Sequence, residues 1–286
     1  VGFGAGVLEL MQLVSQSLLN QVVAVCEQAG EAIMTVYRAA EGFDVDYKSD
    51  NSPLTQADLA AHKILLSVLP TLLDDTPVLS EESSLPPYSE RRHWQCYWLI
   101  DPLDGTKEFI NRNGEFTVNV ALIERGQPIL GVVHVPVQGI TYTGAQTLGA
   151  VKIEAQRRQM ITVRSLASRL AAKQPVAVVA SRRHGSDALQ SVLTKIRQNL
   201  AEVETFNMGS SLKFCLVAEG RADFYPRLAP TSEWDTAAAQ AVVEAAGGMV
   251  VDTRFQALRY NQKSDILNPH FYVIGDKDLN WQNILA

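Results

Sequence analysis

The sequence is short of the features that mark disulfide scaffolds, metal-thiolate sites and polyanion-binding surfaces. Its 286 residues contain only three cysteines, Cys26, Cys96 and Cys215. They lie far apart and show no zinc-type pairing, which excludes a disulfide framework and a cysteine metal site. Each sits among apolar neighbours, the pattern of buried free thiols in a reducing compartment. There is no Lys/Arg run, and the formal net charge is −6, so neither a nucleic-acid polymer nor an anionic bilayer is attracted by the global field. No apolar run approaches the roughly 18 residues of a membrane span, and no basic segment leads into an export-type core. Val1 to Leu10 show no patterning and read as an extension upstream of Met11. His62, His93, His134 and His270 lack zinc spacing and read as structural.

What is present is an ordinary globular composition, 47% hydrophobic and 20% charged, long enough for one large domain or two. Apolar residues at helical spacing predict a helix over about Gln12 to Tyr37. A second is predicted to start at a cap on Thr55 or Gln56 and to be stopped by Pro70. Short apolar strands end at Ser80 and Ile100, and β-rich runs follow between Phe116 and Ile153. Beyond a charged connector, Glu154 to Arg158, strands and helices alternate to Val251. The expected fold class is therefore α/β overall: an α+β half with a largely antiparallel sheet over residues 12–160, then an α/β half over 161–286.

Three acidic motifs carry the chemistry. Glu81-Glu82 follows a strand, and taken alone would be a solvated acidic pair. Asp101-Pro102-Leu103-Asp104-Gly105-Thr106 follows another strand; alone it would be a type I turn with proline second. Yet strand exit with this spacing also projects two carboxylates and the Leu103 carbonyl toward one point, an oxygen set that suits Mg²⁺. Asp235, after Trp234, reads either as a first-turn acid favoured by the helix dipole or as a carboxylate aimed at the same point.

In this order, Glu81-Glu82, Asp101 to Thr106 and Trp234-Asp235-Thr236-Ala237-Ala238 resemble the signature of the lithium-sensitive, magnesium-dependent phosphatase superfamily. That group includes inositol monophosphatases, fructose-1,6-bisphosphatases and 3′(2′),5′-bisphosphate nucleotidases. Within it, Lys107-Glu108-Phe109 after the Gly-Thr pair, Asn111 to Asn119 and Gly209 to Gly220 resemble the bacterial CysQ type of bisphosphate nucleotidase.

The resemblance implies a layered αβαβα sugar-phosphatase-like fold and two Mg²⁺ ions, or three, held by Glu81, Asp101, the Leu103 carbonyl, Asp104 and Asp235. It implies that Thr106 orients the attacking water, helped by Asp50 or Asp58, which the sequence does not separate. Glu81, Leu103, Asp104, Gly105, Thr106 and Asp235 would contact the scissile phosphate. Ser181, His184, Ser210, Lys213 and Arg227 would face the rest of the nucleotide, although a surface histidine and a lysine snorkelling from its helix are the bland alternatives. The expected reaction is removal of the 3′-phosphate of adenosine 3′,5′-bisphosphate, with 3′-phosphoadenylyl sulfate as a further substrate, in sulfur metabolism. The expected partner is thus a small nucleotide bisphosphate and no polymer. The protein would be a cytoplasmic monomer or homodimer, with loose attachment to the inner membrane's cytoplasmic face as a variant. An inositol or sugar phosphatase on the same scaffold is the nearest alternative, since fold does not fix substrate; a non-catalytic relative would be expected to have lost a ligand.

Overall fold

The structure is a computed structural model that describes residues 14–39, 45–47, 53–74, 76–180 and 187–286. The first helix, α1 (Gln16–Tyr37), starts where the Ser15 side chain accepts from the Leu18 N–H. Leu19, Val22, Cys26, Ala29 and Ile33 line its buried stripe. Two three-residue strands, β1 (Val45–Tyr47) and β2 (Pro53–Thr55), pair antiparallel and lead into α2 (Gln56–Leu72). Thr55 is the cap, and Asp58 reciprocates by accepting from the Thr55 N–H at 2.8 Å. Pro70 does not stop this helix as expected; it lies inside the last turn, and the helix runs on to Leu72. One missing N–H near a helix end, where carbonyls already lack partners, costs less than in the interior.

Seven strands form the first sheet: β3 (Val78–Ser80), β4 (Cys96–Asp104), β5 (Thr117–Glu124), β6 (Gln127–Val135), β7 (Ile140–Ala145), β8 (Gly149–Glu154) and β9 (Arg157–Ile161), in that spatial order. All pairings are antiparallel except β3 with β4. The charged segment expected to connect two halves is instead a hairpin. Glu154 pairs with Arg157 across Ala155-Gln156, both with positive φ. Opposite charges facing across a pair favour that register. Two short helices interrupt the run, α3 (Tyr88–Arg91) and α4 (Thr106–Ile110).

After α5 (Leu166–Ala171) the chain builds a second sheet of β10 (Val176–Ala180), β11 (Val203–Asn207), β12 (Phe224–Arg227), β13 (Met249–Asp252) and β14 (Phe271–Ile274), ordered β11-β10-β12-β14-β13. It is mixed: β10 is parallel to β11 and β12, whereas β14 is antiparallel to β12 and β13. Its helices are α6 (Asp187–Asn199), α7 (Leu212–Ala218), α8 (Ala237–Ala245) and α9 (Trp281–Leu285).

Strand alternation sorts the core into three clusters. Trp98, Ile100, Val120 and Val132 face α1 and α2. Leu99, Ala121, Val133 and Tyr142 face α7 and α8, which in turn meet Val179, Tyr225 and Val273 of the second sheet. The outer face of that sheet packs on α6 and α9. The layers are thus α-β-α-β-α. The middle layer lies very close to the first sheet: a Cβ on Gly131 would come within 2.1 Å of the Ala238 carbonyl oxygen. The run of alanines in α8 is what permits that approach. Among the described residues no helix is long and apolar enough to cross a membrane.

Candidate active site

Strand β4 does not end in a free turn. It continues through Asp104, with Asp101 opposite Asn119 and Asp104 opposite Thr117. Four residues therefore oppose three, and the extra residue bends the strand and re-aims its side chains. The bend is held by Asp101, whose Oδ1 accepts from the Leu103 N–H at 3.0 Å. Gly105 follows at φ 97°, where a side chain would be strained and would also crowd the Glu115 carbonyl oxygen at 3.2 Å.

Because β3 runs parallel to β4, Glu81 leaves the sheet beside Asp101, and its N–H donates to the Ile100 carbonyl at 3.2 Å. Asp235 arrives from the other side. It was expected at the start of α8 but lies in a separate 3₁₀ turn, Glu233–Asp235, where its Oδ2 accepts from the Ser232 N–H at 2.8 Å. One carboxylate oxygen from each of Glu81, Asp101 and Asp235 lies within 4.8 Å of the other two. Asp101 is buried and Asp235 partly so. Burial, then the charges of Glu81, Asp104 and Asp235, push the Asp101 carboxyl well above its ordinary range. Burial, then Asp104 and Glu81, do the same for Asp235. Among the described residues no lysine or arginine forms an ion pair with either.

Asp104 stands slightly apart from that trio, tied to the second half of the chain. Its Oδ2 lies 2.6 Å from the Ser211 N and 2.8 Å from the Ser211 hydroxyl. Asn119 Nδ2 and the Thr117 hydroxyl also donate to it, at 3.3 and 3.4 Å. Sequence reasoning missed Ser211, Asn119 and Thr117. The strand register offers a signal for the last two, since they face Asp101 and Asp104 across β5, but nothing linear distinguishes Ser211 from Ser210.

Thr106 donates from its hydroxyl toward Asp58 Oδ1 at 3.3 Å and lies 3.4 Å from the Leu103 carbonyl oxygen. Asp58 is 1% exposed. Its other oxygen is fixed by the Thr55 N–H and, at 2.6 Å, the Thr55 hydroxyl. Burial raises the Asp58 pKa, and the Thr55 hydrogen bonds oppose that rise. Of the two acids expected to assist Thr106, Asp58 therefore touches it, while Asp50 lies outside the described residues, as do Ser181 and His184.

A cavity beside these acids is lined by Asp104, Gly105, Ser210, Lys213, Arg227 and Asp235, among others. Lys213 is buried at 5% exposure and does not snorkel to solvent. Its ammonium donates to the Ser210 carbonyl at 2.6 Å and lies 5.4 Å from the Tyr225 ring centroid. Burial pulls its pKa down to about 8, against the opposing charge of Asp104. Arg227 donates from Nη2 to the Pro230 carbonyl at 3.0 Å. Ser210 holds a positive φ of 42°, so the loop turns sharply at the cavity wall. Glu115, also unforeseen, fastens this loop by accepting from the Gly209 N–H at 2.6 Å.

The donor set fits a hard divalent cation. Buried or half-buried carboxylates that repel one another, brought together within reach of one point, are the oxygen donor set that such a cation takes. A match to the inositol monophosphatase family extends over residues 15–280. The chain belongs to that family. It is 51% identical over 256 residues to the 3′(2′),5′-bisphosphate nucleotidase CysQ of Escherichia coli O157:H7, covering 90% of this chain and 99% of the relative. It is 36% identical over 275 residues to the CysQ nucleotidase of Haemophilus influenzae, covering 96% and 98%. The crystal structure of CysQ from Bacteroides thetaiotaomicron superposes with a TM-score of 0.77 at 40% identity, over 92% of this chain and 98% of that one.

Proposed function

We propose that the chain is a cytoplasmic, Mg²⁺-dependent 3′(2′),5′-bisphosphate nucleotidase. It hydrolyses the 3′-phosphate of adenosine 3′,5′-bisphosphate to give AMP and phosphate, and treats 3′-phosphoadenylyl sulfate as a second substrate. The names of the relatives support the reaction. The observation that carries the substrate class is the placement of Lys213 and Arg227 in the wall of the cavity that holds Asp104 and Asp235. Two cations facing the acidic site give a second phosphate a binding place, whereas a neutral polyol has no use for them.

Glu81, Asp101, Asp104 and Asp235, with the Leu103 carbonyl, would hold two Mg²⁺ ions, or three. When bound there, Mg²⁺ supplies neutralisation of phosphoryl charge and activation of water. The chain's own residues do the rest. The Thr106 hydroxyl donates a hydrogen bond to the Asp58 carboxylate, so its lone pairs are left to accept a hydrogen bond from the attacking water. Asp58 is held by Thr55 and cannot swing away, which keeps the Thr106 oxygen aimed. Gly105, lacking a side chain, lets the backbone approach the phosphate. The first 160 residues thus contribute most of the acids, and the remainder contributes Asp235 and the cationic wall.

The test is phosphate release from adenosine 3′,5′-bisphosphate, inositol 1-phosphate and fructose 1,6-bisphosphate under Mg²⁺, compared by kcat/KM. A preference of a hundredfold or more for the nucleotide, about 2.7 kcal/mol of differential transition-state binding, is expected. A preference for inositol or fructose phosphate would leave the metal site standing and overturn the assignment of the cavity wall.

A further inference from the structure

The anchoring of the acids follows one rule. In Asp58, Asp101, Asp104 and Asp235, one named carboxylate oxygen is tied to protein donors. Those donors are the Thr55 N–H and hydroxyl, the Leu103 N–H, the Ser211 N–H and hydroxyl, and the Ser232 N–H respectively. Three of the four anchors are local, from two or three residues away along the chain. The Asp104 oxygen is held from farther away: Ser211, 107 residues on at the start of α7, gives its shortest bonds, and Asn119 and Thr117 of β5 add longer ones.

Ser211 also does something the other anchors do not. Its hydroxyl accepts from Asn119 Nδ2 at 2.9 Å, and its single proton lies between Asp104 Oδ2 at 2.8 Å and the Asp235 carbonyl oxygen at 2.7 Å. One buried hydroxyl, on a residue 2% exposed, thereby joins the side chain of Asp104 from the first sheet to the main chain of Asp235 before α8. Among the described residues no hydrogen bond is directed at Asp104 Oδ1, so saturation of Oδ2 leaves Oδ1 as the oxygen offered to the site. The spacing between Asp104 and Asp235 is then set through Ser211, not by either acid's own backbone.

We infer that Ser211 is a positioning residue for the cation site. It fixes which oxygen Asp104 presents and how far that oxygen lies from Asp235. The inference rests on the metal reading above. Partners that orient metal ligands typically change affinity by about ten- to a hundredfold when removed.

The experiment is calorimetric titration of Mg²⁺ into the substrate-free protein, for wild type, Ser211→Ala and Asp104→Asn, with thermal melting of each and steady-state kinetics alongside. Ser211→Ala keeps the backbone donor and loses the bridge. It is expected to bind Mg²⁺ about tenfold more weakly. Its KM for the nucleotide should be unchanged, and its kcat should recover as Mg²⁺ is raised. Ser211→Thr, which restores a hydroxyl, should restore the affinity. Ser211→Cys, close in size but a weak donor, repeats the measurement if the alanine variant melts too early to titrate. Wild-type affinity in Ser211→Ala or Ser211→Cys, with binding lost in Asp104→Asn, would overturn the positioning role and leave the metal site intact. If wild type and Asp104→Asn alike bind no Mg²⁺, the metal reading itself falls and the positioning role falls with it.

Discussion

Asp101 and Asp223 are buried almost equally, at 1% and 2% exposure, yet they live in opposite electrostatic worlds. Asp223 is met by Arg164 through both oxygens, at 2.6 and 2.8 Å, by the Ala177 N–H at 2.7 Å, and by Arg169 at 3.5 Å. Its counter-charge is built into the chain, and it ties the start of β10 to the segment before β12. Asp101 has one backbone donor, and its charged neighbours Glu81, Asp104 and Asp235 share its sign. A carboxylate buried for structure brings its cation with it. One buried among like charges is instead the kind of group that a cation from outside would complete, a contrast that exposure alone does not reveal.

The largest effects should fall on opposite observables. Asp101→Asn should lower kcat/KM by at least about a thousandfold, equivalent to about 4 kcal/mol. Melting of the metal-free protein should hold steady or rise, because a mutually repelling charge has gone. Turnover within tenfold of wild type would remove Asp101 from the site. Asp223→Asn should do the reverse. Leaving Arg164 and Arg169 without their partner costs about 3–5 kcal/mol in buried pairs, and nearer the lower figure here because both arginines keep some contact with water. At this chain length that lowers Tm by about 6–12 °C, with kcat/KM near normal at low temperature. A comparable loss of turnover in the cold would erase the division between the two aspartates.

Much of this contrast is legible in the sequence, and for a physical reason. Asp101, Asp104, Gly105 and Thr106 are close in the chain, so spacing and strand exit bring them together, and Trp234-Asp235 is distinctive enough to be found at a distance. What the sequence hides is contact between distant segments. Thr106 meets Asp58 across 48 residues, and nothing in the linear pattern separates Asp58 from Asp50. Ser211 is one of two adjacent serines, and only the fold shows that it, not Ser210, reaches Asp104. Local competition hides other features. Glu154 to Arg158 is charged like a linker, but Glu154 stands opposite Arg157 in a hairpin. Pro70 is tolerated near the end of α2, where its missing donor matters less. The strand β14 is a four-residue apolar run after a long polar stretch, too short for periodicity to declare.

A second region sharpens the comparison from the basic side. His134 on β6 is 6% exposed, its Nδ1 lies 2.9 Å from the Thr141 hydroxyl, and a Cβ on Gly30 of α1 would come within 2.5 Å of its ring. Burial lowers its pKa from 6.5 to about 4. The unfolded chain therefore binds the proton more readily than the folded one. Stability from this group is fully present above about pH 6.5 and is lost as pH falls toward 4. The full difference is up to about 3 kcal/mol. His134→Gln should flatten that part of the stability curve. An unchanged acid limb in urea titrations at pH 6.5, 5.5 and 4.5 would show that burial does not lower the pKa of this ring.

The acidic site should titrate with the opposite sign. The folded pKa values of Asp101 and Asp235 are raised above 3.8. In metal-free protein their contribution is thus fully present below that value and is lost as pH rises through the folded values. If these acids are the metal site proposed above, added Mg²⁺ should bind their ionised carboxylates in the folded state and restore stability in proportion to the logarithm of its concentration over Kd. The rise in Tm on adding Mg²⁺ should accordingly be a few degrees larger at pH 8 than at pH 5.5. Asp101→Asn should reduce both the metal-free slope and the Mg²⁺ increment, whereas Asp223→Asn should lower Tm at every pH without altering the increment. If the increment is instead the same at both pH values, the acids are ionised throughout and their repulsion is relieved inside the protein. The distinction between a carboxylate that carries its cation and one that waits for it would then fail at Asp101.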